Sequence, residues 1–514
     1  MPIRLTVALF LILVSAPTLS SPHADATWPA AEWPRSAPEA QGMSSPELTT
    51  MLEWIESDNP GIRSVTVVRH GTVVLDVRLA PFARGDRHDI HSCTKSVLSA
   101  LVGIAIDRGD LPGRDTRVLD FFPNYEIAHL DADKRAKRAM TLGHLLTMSA
   151  GLRTEDSYLY NWAGLGRMRA SHDWAQYVLD LPIVTEPGTS FEYSNGVSQL
   201  IAIILQEATE QSASSYAREH LFEPIGIVDY EWEGSRPDDS WGYSGLSLRP
   251  LDMARLGYLY LRGGEWDGVQ VVPADWVQSS TAPQITAGTM AKNYGYQWWV
   301  DDDMFMMQGY GGQFVYVLPA RDLVVVFTGA LPQQQYFTPR SLLSNYIEAA
   351  VIADHALPAN PAAAARLDSL VQILAGETGE PPRPAPGLAQ TVSGRTFEFT
   401  ENRMRLRRMI LHFTPGSSEA ELEFSVGAAV GSITIGLDGV FRTGELYGQR
   451  WACRGRWVNG ETFVLEQEAP GKVLRRRLTL IFQGDMLRFE VHDRITDTVD
   501  IFSARMAAAS PAVK

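Results

Sequence analysis

The sequence predicts an α+β protein: an antiparallel sheet flanked by helices with a helical subdomain, followed by a C-terminal all-β module. Three observations lead there. Alternating strands occur both early and late in residues 40–350, so the two ends of that region share one sheet. Between them lie stretches with apolar residues at helical spacing. Past a Pro/Gly-rich segment, "GETGEPPRPAPGLAQ" (376–390), only short alternating strands remain.

Taken in chain order, residues 1–26 read as an export signal. Arg4 is an early cation, Leu5–Ala16 is an apolar run too short to span a bilayer, and Ala24-Asp25-Ala26 has the small-residue pattern of a cleavage site. An α+β domain is expected over 27–375, a linker over 376–390 and a small all-β barrel or sandwich over 391–514. Ser44–Ser57 has helical spacing, and "SVTVVRHGTVVLDVRL" reads as a hairpin turning at His70-Gly71. "IHSCTKSVLSALVG" (90–103) begins a helix near Ser92 that is apolar nearly all round, hence buried, and ends at Gly109. "TLGHLLTMSAGL" has helical spacing ending at Gly151. Residues 153–190 are irregular and carry Tyr158, Tyr160, Trp162, Trp174 and Tyr177, rings that either line a pocket or pack a helical subdomain. "GVSQLIAIILQEATEQ" and "PLDMARLGYLYLRGG" are further helices; "YGYQWWV", "QFVYVLP" and "LVVVFTGA" are strands.

Composition narrows the function. A formal net charge of -15 argues against phosphate neutralisation, so no nucleic-acid partner is expected, and against a basic membrane-surface mode. With the signal removed, no other apolar run reaches spanning length. Cys93 and Cys453 read as unpaired thiols. The histidines show no metal-binding spacing and Asp301-Asp302-Asp303 reads as a solvated turn, so neither metal nor cofactor is expected.

The chemistry begins with Ser92 and Lys95, three apart and therefore on one helix face. Only six lysines occur in the chain, and Lys95 alone has a serine three residues before it. On one reading Ser92 is an N-cap and Lys95 a solvated first-turn charge. On the other, burial and the positive end of the helix dipole push Lys95 toward a neutral amine that takes the Ser92 proton. Tyr193-Ser194-Asn195 offers a phenol as proton shuttle and an amide able to hold both a lysine and a substrate carbonyl, or else a turn. In "MMQGYGGQFVYVLP", Gly309, Gly311 and Gly312 precede a strand, which suits close approach of backbone and ligand, or a tight turn into the core. Rival nucleophiles fit less well: G-x-S-x-G is absent, His91 is adjacent to Ser92 and points away, and Cys93 leaves the Ser92–Lys95 face.

S-x-x-K at Ser92, Y-x-N at Tyr193 and the Gly-rich strand before "GGQ", in that order, resemble the serine β-lactamase and penicillin-binding-protein superfamily. The Tyr-x-Asn form points to its class C branch, with its esterases, D-amino-acid peptidases and amide-oligomer hydrolases. The likeness runs from about residue 40 to 350 and implies a β-lactamase/transpeptidase-like domain. It also implies roles: Ser92 as nucleophile, Lys95 as its base partner, Tyr193 as proton shuttle, Asn195 orienting Lys95 and substrate, and the Ser92 and Tyr310 N–H groups as oxyanion hole beside Gly309 and Gly311. One position departs. The third motif of the family usually starts with Lys or His two residues before its glycine, where this chain has Met307. "GYGGQ" instead resembles 6-aminohexanoate-dimer hydrolases and related esterases. The resulting expectation is a periplasmic or secreted serine hydrolase acting on a small ester, amide or peptide-like substrate. D-amino-acid peptidase or β-lactamase activity, or a non-turnover penicillin-binding-like sensor, stands as the alternative.

Overall fold

In the computed structural model, residues 27–58, 61–127, 130–156, 162–236, 238–376 and 379–507 are described; the expected export signal over 1–26, Tyr158 and Tyr160 lie outside them. The N-terminal hairpin forms as expected, from Ile62–Arg69 and Thr72–Arg78. It extends an antiparallel sheet ordered Thr72–Arg78, Ile62–Arg69, Leu323–Gly329, Gln313–Leu318 and Phe305–Gly309, continued by three two-residue strands. Early and late strands thus meet in register, Val67 against Val325, with the Ser64 and Thr328 hydroxyls hydrogen-bonded at 2.6 Å. The central strands are buried along their whole length: Leu323–Gly329 is a near-continuous apolar run, while Ile62–Arg69 buries Arg63, Ser64, Thr66 and Arg69 as well. Helix Pro250–Leu261 packs across three of them, and Gly257 lets it settle onto Val315 and Val324.

The helix of the S-x-x-K segment spans Thr94–Arg108 and is buried from Thr94 through Ala105; left-handed Gly109 ends it, its N–H donating to the Ile106 carbonyl. Removing one such side chain, as in Leu98→Ala, would cost about 2–5 kcal/mol.

Two expected elements are shorter than their patterns. The helix in "TLGHLLTMSAGL" covers only Leu142–Leu146: Gln297 donates to the Leu145 and Leu146 carbonyls, and left-handed Met148 (φ 54°) redirects the chain so that its carbonyl accepts the Glu192 N–H. "YGYQWWV" is not one strand but part of two, Asn293–Tyr294 and Trp299–Val300, separated by a turn with Gln297 at φ 60°. The aromatic stretch also holds two helices, Ala163–Ala170 and Trp174–Asp180, so a helical subdomain occupies part of what reads as irregular chain.

The C-terminal module is a ten-strand antiparallel sheet, Thr396 to Met506, closed by a bridge between Gly436 and Arg454. Its interior is filled by Phe397, Leu411, Phe463, Leu465 and Leu480, so it is a packed barrel. Residues 387–390 of the expected linker belong to a helix, Gly387–Val392, that buries Ala389 and Val392. Cys93 and Cys453 are both unpaired and buried. Among the described residues no helix is long and apolar enough to cross a membrane.

Candidate active site

Ser92 sits in a single 3-10 turn, His91–Cys93, that feeds the helix at Thr94. The preceding strand His88–Asp89 delivers this turn, and His91 takes a left-handed conformation (φ 48°) to reverse the chain. The Asp89 carboxylate accepts the His91 N–H at 2.9 Å, which fixes that reversal. Cys93 is buried with its thiol against the Gln313 carbonyl, a core residue as its position on the turn suggests.

Lys95 is 1% exposed, which removes the solvated-charge reading. Its Nζ lies 3.0 Å from Ser92 Oγ, 2.9 Å from Asn195 Oδ1 and 2.8 Å from the Tyr243 carbonyl. Burial pushes its pKa down to about 7, against the opposing pull of the Asp156 carboxylate. A neutral amine has two N–H groups and one lone pair. Asn195 Oδ1 and the Tyr243 carbonyl are acceptors only and would take those two N–H groups; the third contact of Nζ is with the Ser92 hydroxyl, which the ammonium donates to and the lone pair of the neutral amine would accept from.

Tyr193 and Asn195 arrive at the same place from the next long helix, Asn195–Thr209. Ser194 is its N-cap, accepting the Val197 N–H at 3.1 Å, so Ser-Asn-Gly starts a helix here rather than forming a free-standing turn. The Tyr193 ring lies 4.9 Å from Lys95 Nζ and stacks on Trp299 at 5.9 Å. Burial raises its phenol pKa, and interaction with the Ser92 hydroxyl opposes that rise.

Gly309 to Gly312 link the paired strands Phe305–Gly309 and Gln313–Leu318. The close neighbours at these glycines are the protein's own atoms. A Cβ on Gly309 would lie 2.2 Å from the Ile90 carbonyl oxygen, and one on Gly311 (φ 74°) 2.3 Å from Val473 Cγ1. The turn is thereby pressed against the segment leading into Ser92, and Tyr310 meets His91 edge-on at 5.4 Å and Trp162 at 4.8 Å. Of the described rings expected to line a pocket or pack, Trp162 reaches this turn, whereas Trp174 packs beside Tyr243.

A family model described as Beta-lactamase matches residues 54–341, more than half of the chain and all the motifs just placed. The chain belongs to the beta-lactamase family. A 6-aminohexanoate-dimer hydrolase of Paenarthrobacter ureafaciens is 24% identical over 313 residues, covering 56% of this chain and 76% of that protein. Among solved structures, a penicillin-binding protein homologue from Caulobacter crescentus shares 16% identity over 55% of this chain and 91% of its own, with a TM-score of 0.46. The octameric penicillin-binding protein homologue from Pyrococcus abyssi shares 13% over 89% and 99%, with a TM-score of 0.46.

Two groups in this beta-lactamase-family site escape sequence reading. The Tyr243 carbonyl that holds Lys95 is backbone and leaves no signature in residue type. Asp156, outside every motif, accepts the Asn195 backbone N–H at 3.1 Å and the Leu165 N–H at 2.9 Å. It therefore fixes the start of the helix that carries Asn195, and its own pKa is raised by burial. At the departing position, Met307 is 1% exposed and paired with Val315 in the strand. Among the described residues no group of His, Cys, Asp and Glu is disposed to hold a metal ion, and Asp301 and Asp302 are engaged by Arg340 and Lys292.

Proposed function

We propose that this chain is an exported serine hydrolase that cleaves an ester or amide bond through a Ser92 acyl-enzyme. One observation carries the reading: a buried amine with a pKa near 7, held by two acceptors, 3.0 Å from the Ser92 hydroxyl. Ser92 Oγ attacks the substrate carbonyl carbon as Lys95 Nζ takes its proton. The Ser92 and Tyr310 N–H groups receive the oxyanion. Collapse breaks the scissile bond, and the leaving alkoxide or amine takes a proton from the Tyr193 phenol, which the Lys95 ammonium replenishes. Water then attacks the ester of Ser92 and gives up its proton along the same path, releasing the acid and restoring the hydroxyl.

The substrate class follows from Met307. A family member with no cation there has no fixed charge at that point for a substrate carboxylate, which favours simple esters and amides over β-lactams. The likeness to a 6-aminohexanoate-dimer hydrolase points the same way. Export is supported by the pattern of residues 1–26. Ser92→Ala should lower turnover of p-nitrophenyl esters by about 10⁴-fold or more. Undiminished activity in that variant would reject the reading.

A further inference from the structure

A hairpin of the barrel reaches the hydrolase site. Between strands Thr462–Glu468 and Arg475–Gln483, residues 469–474 project onto the two turns that flank Ser92. We infer that this hairpin is a positioning element for the oxyanion hole, bracing both turns whose N–H groups would receive the oxyanion. The inference rests on the reading of Ser92 and Tyr310 just given.

The brace has a contact on each side. On the Ser92 side the joint is Asp89. Its N–H donates to the Gly471 carbonyl at 2.9 Å, while its carboxylate accepts the His91 N–H at 2.9 Å. Lys472 Nζ stands 4.0 Å from the same carboxylate and pairs with Glu233. On the Tyr310 side, Val473 abuts Gly311 so closely that no side chain would fit between them. The hairpin is itself anchored from the sheet by buried Arg63, whose guanidinium donates to the Lys472 carbonyl, to the Leu474 carbonyl at 3.1 Å and to Glu468 Oε2 at 2.8 Å. The two braced turns also touch each other through the His91 and Tyr310 rings. Both turns whose N–H groups would form the hole are thus in contact with one six-residue loop of the barrel.

Spacing is what such a hole depends on. Donors act only when they sit about 2.7–3.1 Å from the developing oxyanion, and losing one lowers kcat about 10²–10³-fold. Loosening both by a fraction of an ångström costs less but leaves ground-state binding largely intact, since the charge appears only in the transition state.

The test uses the full chain with Lys472→Ala, Val473→Ala and the double variant; both positions are half-exposed, so the fold tolerates them. In the double variant, kcat on a p-nitrophenyl ester and the rate of Ser92 labelling by a fluorophosphonate should both fall about 10–100-fold, with KM within about threefold. Lys472→Arg, which keeps the ion pair, should retain most of the activity. Amide hydrogen exchange should accelerate in the peptides covering 89–93 and 309–312 but not in the barrel core. Unchanged exchange in those two peptides overturns the inference, and so does a rise in KM with kcat unaltered. If the wild-type chain neither turns over nor labels at Ser92, the proposed function fails, and the exchange result alone decides whether the hairpin braces the turns.

Discussion

The sheet-and-helix domain and the barrel use apolar residues in different ways, and that difference decides where function can be read. In the first, the strand Leu323–Gly329 and the helix from Thr94 through Ala105 are buried all round. A charged side chain there is an exception that needs a reason, and Lys95, the one charge in that buried stretch of helix, is the plainest case. In the barrel, strands such as Leu406–Phe413 and Met486–Asp493 alternate buried with half-buried or exposed positions. Charged residues on its outer face are what any half-solvated strand carries, so Lys472 draws no attention until the hairpin is seen against Asp89.

The largest effect expected from this contrast lies at the polar exception itself. Lys95→Ala should slow acylation of Ser92 by a fluorophosphonate or ester about 10²–10⁴-fold, the range for losing a positioned base. Near-normal acylation would return Lys95 to a structural role. Next come the two cores: Leu98→Ala and Leu480→Ala should each cost about 2–5 kcal/mol in denaturant unfolding. Only Leu98→Ala should also lower kcat in the protein that remains folded, because its helix carries Lys95. Equal loss of kcat from both would mean the barrel core governs the site more closely than one hairpin can explain.

A smaller change is expected at Asp156. Its negative charge raises the Lys95 pKa, so Asp156→Asn should move the acylation midpoint to lower pH, with kcat falling about tenfold through the loosened Asn195. A midpoint that moves upward contradicts that sign. The smallest effect is on the barrel surface, where Val499→Ser, at a half-exposed strand position, should alter stability by no more than about 0.5 kcal/mol and leave turnover unchanged.

The same contrast explains how much was legible in the sequence. The hairpin at His70-Gly71, the strands Gln313–Leu318 and Leu323–Gly329 and the nucleophile helix all follow from hydrophobic period and turn residues. Ser92, Lys95, Tyr193 and Asn195 could be named because unusual residue types stand at fixed spacings, and the structure brings them together. The shortened helix Leu142–Leu146 could not be foreseen: a distant Gln297 takes its last carbonyls. Asp156 and the Tyr243 carbonyl were invisible for a related reason, since one lies outside any periodic segment and the other is backbone. At Gly309 and Gly311 the need for glycine was legible but its partner was not. Those partners, the Ile90 carbonyl and Val473, are fixed only when the strand and the barrel pack.

The central claim is that Lys95 is kept neutral beside Ser92 by burial. It is tested most directly by the pH dependence of single-turnover acylation of the wild-type chain, with Ser92→Ala as blank. Because the neutral amine is the active form and burial lowers its pKa to about 7, the rate should rise as pH increases through about 7 and then level off. A rate that keeps climbing to the ordinary lysine range near pH 10, or that is flat from about pH 6 to 9, would contradict the account.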